Sequence, residues 1–421
     1  MRSQAMSQSS RGRFAGIGFV LAVFGLSSLA LQPTAVLADS GSLGSSSLPS
    51  ELIAAVNAVG VGGDQHAAAI AALDAWMTSN ASDMDLLLAT LHAMSDANAR
   101  GKNWLLMAAS SLRNRIDDIE RLKSELNAFF DDREHDPDAR YFAFRQLIAP
   151  ELSGDAQRAT AVEDAMLDRS LDDPSLPLRF RAIAKVINNV ESIDVDAAKI
   201  ERLSTALPLA RHPDHLKTIS KKLDTLGVDV DLASELAMVT RWHVIAPFDN
   251  TDGIGFEIIT PVETEYLSNA DKPLRTDRPV VSGDEKLGWL TGTTDDAMGV
   301  VDLNPIFDNA KNAVAYAHAV IEIDGDQLAG VSQFQARLGC ICANQAWVNG
   351  EMVLSNEVYH SGSSIDQYIA RCDLRPGRNT VLIKVCQNDQ TEPWAQDFEF
   401  QFRLTDETGR GIKHTVVSPS P

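Results

Sequence analysis

The sequence predicts a multidomain α + β chain, helical to about residue 240 and antiparallel sheet beyond it. Three observations carry this. Apolar residues recur at helical spacing from Ser50 to about Trp242. After Thr240 they gather instead in strand-length runs punctuated by Asn349-Gly350 and Pro376-Gly377. Near the C-terminus Phe398, Phe400, Phe402 and Leu404 alternate with Glu399, Gln401 and Arg403, a period of two that predicts one buried and one solvated face.

Residues 1–38 read as a signal peptide. Arg11 and Arg13 precede the apolar run Phe14 to Leu31, and Val36-Leu37-Ala38 places small residues at −3 and −1 of a cleavage point before Asp39. Export to the periplasm or the extracellular space follows, with an uncleaved anchor as the alternative. No later stretch is long and apolar enough to span a membrane, so no transmembrane helix is expected in the mature chain. Residues 39–49, rich in Gly and Ser, form a flexible linker. The formal net charge is −21, and loss of the leader removes three arginines and no acid. Such a chain repels phosphate backbones, which excludes nucleic acid as a natural partner.

The helical domain is expected over 50–240. Leu86, Leu87, Leu91 and Met94 mark one helix, Ile119, Leu122, Leu126 and Phe129 another, and Phe180, Ile183, Val186 and Ile187 a third. Asp136-Pro137, Asp173-Pro174 and His212-Pro213 each precede a helical run, and proline suits a first turn because its missing N–H would have no partner there. Their even spacing, at roughly 40 residues, is the period of a HEAT- or armadillo-like solenoid of helix pairs, with a plain bundle as the alternative.

The β domain is expected over 241–412, followed by a frayed tail at 413–421. Eight or nine strands with turn signals between them suggest a β-sandwich or jelly roll. Trp242-His-Val-Ile-Ala-Pro-Phe-Asp-Asn, Trp347-Val-Asn-Gly and Leu374-Arg-Pro-Gly-Arg-Asn-Thr-Val-Leu-Ile-Lys-Val resemble the galactose-binding-like jelly-roll fold. That resemblance implies an accessory domain of the kind attached to secreted glycoside hydrolases. With the helical half, the chain is similar to secreted bacterial proteins that carry HEAT-like repeats before such a domain.

Four cysteines, Cys340, Cys342, Cys372 and Cys386, lie in the β part. Cys340 and Cys342 fall two apart on one expected strand and are poorly placed to bridge each other. In a hairpin centred near Gly377, Cys372 would face residue 382. Buried free thiols are the expectation, with a bridge from Cys340 or Cys342 to Cys386 as the alternative.

Candidate chemistry is sparse. Trp347 and Asn349-Gly350 read as core and a tight turn, because two successive positive φ angles suit Asn-Gly. Asp249-Asn-Thr-Asp252-Gly253 and Asp324-Gly-Asp326 are acidic turns in which a structural Ca²⁺ is conceivable, although neither has the carboxylate spacing of an EF-hand; no cofactor is expected. His212 and His215 stand at a helix start without a third ligand nearby in sequence. The loop at 356–368 holds the richest polar and aromatic surface, and Glu357, Tyr359, His360, Asp366 and Tyr368 are the candidate ligand-binding residues. The expected function is non-enzymatic binding or scaffolding that recognises carbohydrate or another envelope protein. A polysaccharide-acting enzyme with its site between the domains, and a purely structural envelope component, are the alternatives.

Overall fold

The computed structural model describes residues 48–60, 63–269 and 272–417. The expected leader, most of the linker and the last four residues of the tail lie outside them. Helices come first and antiparallel sheets after, as the change in periodicity near residue 240 requires.

Twelve helices precede the first strand among the described residues. They are α1 (Ser50–Ala58), α2 (Gly63–Met77), α3 (Asp83–His92), α4 (Ala99–Arg113), α5 (Ile119–Asp131) and α6 (Pro137–Leu147). They continue with α7 (Pro150–Ser153), α8 (Ala156–Asp168), α9 (Leu176–Asn189), α10 (Asp196–Ala206), α11 (Pro213–Thr225) and α12 (Leu232–Leu236). The apolar positions at helical spacing turn inward: Leu122, Leu126 and Phe129 of α5 are buried with Phe130, as are Ile183, Val186 and Ile187 of α9. Phe180 departs from its expected place in that core. It is 44% exposed and stacks on His215 instead.

Partners recur along the chain as α3 with α4, α5 with α6, α8 with α9, and α10 with α11. The turns before α6, α9 and α11 are closed in one way. Asp136, Asp173 and His212 each accept the backbone N–H two residues on, from Asp138, Ser175 and Asp214. Pro137 and Pro213 stand first in α6 and α11, whereas Pro174 lies in the turn and Pro177 occupies the first turn of α9.

The strands are β1 (Arg241–Asp249), β2 (Val280–Ser282), β3 (Glu285–Leu287), β4 (Leu290–Thr293), β5 (Val301–Asp302), β6 (Ala313–Ile323) and β7 (Phe334–Cys340). They end with β8 (Ala343–Val348), β9 (Glu351–Asn356), β10 (Tyr368–Cys372), β11 (Gly377–Gln387), β12 (Glu399–Asp406) and β13 (Thr415–Val417). One sheet runs β4-β1-β6-β11-β8-β9 with β13 beside β6; a second runs β10-β7-β12-β5; β2 and β3 pair alone.

A shared core lies between the two larger sheets. Ala317, Ala319 and Ile321 of β6 and Val381, Ile383 and Val385 of β11 meet Leu338 of β7 and Phe400, Phe402 and Leu404 of β12. The alternate residues of β6 and β11 form a second core with Phe256, Val262 and Tyr266 from the segment after β1, which carries a 3-10 turn (Thr251–Phe256) and α13 (Pro261–Ser268). The large sheet is thus covered on both faces along its two central strands, and β6 is buried at almost every position.

Four details differ from the sequence expectation. The tail expected to fray from residue 413 is held in part, since Thr415–Val417 pairs with β6 as β13. The Pro376-Gly377 corner does not fold a hairpin: β10 pairs with β7 and β11 with β6 and β8, so the corner carries the chain from one sheet to the other. Cys340 and Cys342 do not share a strand, because Cys340 ends β7 in one sheet and β8 begins in the other at Ala343. The polar face of β12 is not solvated: Gln401, Arg403 and Thr405 are buried. The Asn349-Gly350 turn joins β8 to β9 as expected, with φ of 51° and 84°. All four cysteines are buried free thiols, and burial pushes Cys340, Cys372 and Cys386 up to about 12.

Helices and sheets are joined directly. Val239 N–H donates to the Phe402 carbonyl at 2.9 Å, and Trp242 Nε1 donates to the Val239 carbonyl at 2.8 Å while its ring meets Phe400 edge-on.

Candidate functional site

The loop after β9 divides its residues between two places. Tyr359 and His360 stay at the end of the large sheet, near the turn after β1. The Asn250 side chain donates to the Tyr359 hydroxyl at 3.1 Å and to the Gln387 carbonyl at 3.0 Å. Burial raises the Tyr359 phenol above its usual range, partly offset by Asn250. His360 takes a positive φ of 58°, uncommon outside glycine and seen mostly for Asn, Asp and His. Its Nε2 pairs with Asn388 Oδ1 at 3.1 Å, and its backbone N–H donates to the Ile341 carbonyl. Its Nδ1 is buried without a hydrogen-bond partner among the described residues, as is Asn250 Oδ1.

Beside them stands Trp394, 58% exposed, edge-on to His360 at 5.4 Å between ring centroids. Asn388 holds Gln390 by two bonds, Nδ2 to Oε1 and Oδ1 from the backbone N–H, both 3.1 Å. This cluster brings an open indole face next to imidazole, phenol and carboxamides, the chemistry that stacks on and hydrogen-bonds a polyol. Trp394, Asn388 and Gln390 are absent from the residues the sequence singled out. Their signal is a lone aromatic in the polar run from Gln387 to Gln396, which has no periodic apolar pattern to draw it into a core.

The other candidates go elsewhere. Glu357 is exposed. The Tyr368 hydroxyl stays within the loop, 3.2 Å from Ser361 Oγ and 3.3 Å from Gln367 Nε2. Asp366 turns away from the cluster, toward the helices. Its Oδ1 accepts Arg403 Nε at 2.8 Å and its Oδ2 accepts Arg403 Nη2 at 2.5 Å and Arg337 Nη1 at 2.7 Å. Burial alone would raise the Asp366 carboxyl; Arg403, with Arg337 behind it, outweighs that and holds it below the usual carboxylate range.

The acidic turns have local roles. Asp249 Oδ1 accepts the Thr251 N–H and hydroxyl, and Asp324 Oδ1 accepts the Asp326 N–H. Among the described residues no group of three or more His, Cys, Asp or Glu is placed to hold a metal ion. No described helix is long and apolar enough to cross a membrane.

Beneath α13 lies a buried polar group of another kind. Lys384 of β11 pairs with Glu263 at 2.9 Å and donates to the carbonyls of Phe256 and Ile258, and the Tyr316 hydroxyl donates to Glu263. Every partner is internal, so this group fastens the segment after β1 to the sheet.

No protein-family model and no curated protein matches the chain. Among solved structures, a GH31 alpha-xylosidase from Xanthomonas citri matches at 17% identity, covering 31% of this chain and 15% of that chain, with a TM-score of 0.17. So partial a superposition carries no argument about fold or function.

Proposed function

We propose that this is an exported, non-enzymatic binding protein whose β part recognises carbohydrate at the cluster of Trp394, His360 and Tyr359. In this reading the recurrent helix pairs are HEAT-like repeats stacked as a solenoid, and the two sheets form a galactose-binding-like jelly roll. The identical closure of the turns at Asp136, Asp173 and His212 supports the repeats. The observation that carries the binding reading is Trp394, an indole left 58% exposed beside an imidazole whose Nδ1 lacks a partner. A large aromatic held in the open loses apolar burial that folding would otherwise gain, and a sugar face laid on it restores that burial.

The test is a glycan array followed by titration of the best hit. Trp394→Ala and His360→Ala should each weaken binding about tenfold or more while the melting temperature of the Trp394 variant stays put. A blank array, or a hit that both variants bind unchanged, removes the proposal.

A further inference from the structure

A second site lies where the helices meet the loop bearing Asp366. There a cleft of about 500 Å³ is lined by Leu176, Arg179 and Phe180 of α9, by Arg211 and the start of α11, and by Ile365 and Ile369 from the β part. Its charge follows from the repeats. Lys102 of α4 pairs with Asp136, which closes the next turn, at 2.6 Å; Arg140 of α6 pairs with Asp173, which closes the turn after that, at 2.5 Å. Arg179 of α9 is the third cation of this ladder. The turn-closing residue ahead of it is His212, where the ladder would need an acid.

Among the described residues Arg179 therefore bonds only backward, to the carbonyls of Asp172 and Asp173 at 2.7 and 2.8 Å. Arg211 beside it bonds only the carbonyls of Pro208 and Ala210, and its Nε is buried without a partner. Neither has a carboxylate within ion-pair distance among the described residues, in a chain of formal charge −21. Burial lowers both guanidinium groups, Arg211 to about 10, and repulsion from Arg179 adds to it for Arg211; Asp172 and Asp173 beside Arg179, and Asp406 near both, offset this only in part, being bonded to Arg133, Arg140 and Arg410 themselves. Of the acids at the cleft, Asp366 is neutralised by Arg337 and Arg403, while Asp214 and Glu407 stand exposed at the rim.

We propose that this cleft binds a carboxylate carried on an apolar peptide segment, with Arg179 and Arg211 as the anion receptor. A carboxylate supplies what His212 withholds from the ladder, and guanidinium groups favour it through paired charge-assisted bonds. The flank decides the class of ligand. Leu176, Phe180 and Ile369 are 38%, 44% and 50% exposed along the cleft, and this mostly aliphatic wall suits side chains of a peptide better than the face of a sugar. The site shares no residue with the Trp394 cluster and stands or falls apart from the carbohydrate reading.

The full mature chain is titrated with acetyl-Phe-Leu bearing a free carboxylate, with the same peptide amidated, with an internal Glu peptide blocked at both ends, and with glucuronate. Free-carboxylate or internal-Glu peptide should bind, distinguishing a chain terminus from a side chain, while the amidated peptide fails. Arg211→Gln should weaken the bound peptide about tenfold. His212→Asp is the decisive variant: it completes the ladder, so it should raise the melting temperature and lower peptide affinity together. Equal binding of amidated and free peptide, binding of glucuronate alone, no binding of any probe, or full affinity in the folded His212→Asp variant overturns the proposal.

Discussion

Arg403 and Asp366 face each other fork to fork, Nε on Oδ1 at 2.8 Å and Nη2 on Oδ2 at 2.5 Å, with Arg403 Nη1 continuing to the carbonyl of Leu236 at 3.3 Å. One guanidinium thus ties the last long strand to the loop before β10 and to the end of α12. Asp366→Ala would leave Arg403, 1% exposed, without a counter-charge. The expected loss is about 3–5 kcal/mol, read by urea unfolding. A loss under about 1 kcal/mol would show that the pair is dispensable.

Lys384 and Glu263 make the same argument in the large sheet, on the face that α13 covers. Lys384→Met alone buries an unpaired Glu263 and should cost about 3–5 kcal/mol. Pairing it with Glu263→Gln should recover a substantial part of that cost, since the orphaned charge goes with the second change. A double-mutant cycle measures this; strict additivity would mean that the two side chains do not interact.

His318 sets a pH dependence. Burial, with a small push from His243, brings it down to about 4 against the Val381 carbonyl, which meets Nδ1 at 3.0 Å and favours the charged form; Nε2 accepts the Leu274 N–H at 3.2 Å, a bond that only the neutral ring can make. A folded-state value below the unfolded one means that the unfolded chain takes up the proton first. Stability from this group is therefore complete above about pH 6.5 and falls as pH drops toward 4, by about 3 kcal/mol in all. Unfolding free energies of the wild type and His318→Gln at pH 7 and pH 4.5 should differ by less in the variant. Parallel pH profiles would contradict the assignment.

Trp394 should be neutral for stability. An exposed aromatic removed from a surface changes unfolding free energy within about 0.5 kcal/mol, so a Trp394→Ala melting curve that falls by several degrees would place the indole in the packing of the sheet end.

The helical half was legible because its period reports a single buried stripe per helix, and Leu122, Leu126, Ile183 and Val186 are where that rule puts them. Phe180 broke the rule because a cleft, not solvent or core, receives it. In the β half the alternation of Phe398 to Leu404 was read correctly for the face that packs on the other sheet. The complementary face does not follow from the alternation, because burial of Arg403 depends on Asp366, a residue distant in sequence. Sheet membership failed for a similar reason: β10 and β11 are separated by a turn sequence that suits a hairpin, and only the placement of β7 sends them to different sheets. Of the candidate residues, Tyr359 and His360 come together with an aromatic that sequence alone left aside, and Asp366 joins the arginines instead.

The position of β12 has a consequence for the order in which the chain can fold. Helix pairs make their contacts between neighbours in sequence, so each can form as soon as its second member is present. The core between the sheets cannot close that way, since Phe400, Phe402 and Leu404 complete it and the Phe402 carbonyl receives the N–H of Val239 from the far end of the β part. As the chain is delivered N-terminus first, the helical part can assemble while the rest is still to come, whereas β1 to β11 wait with apolar faces uncovered until residue 404 has emerged. Truncations that stop before β12 should therefore aggregate, and the interval of exposure is set by how fast the last third of the chain is delivered.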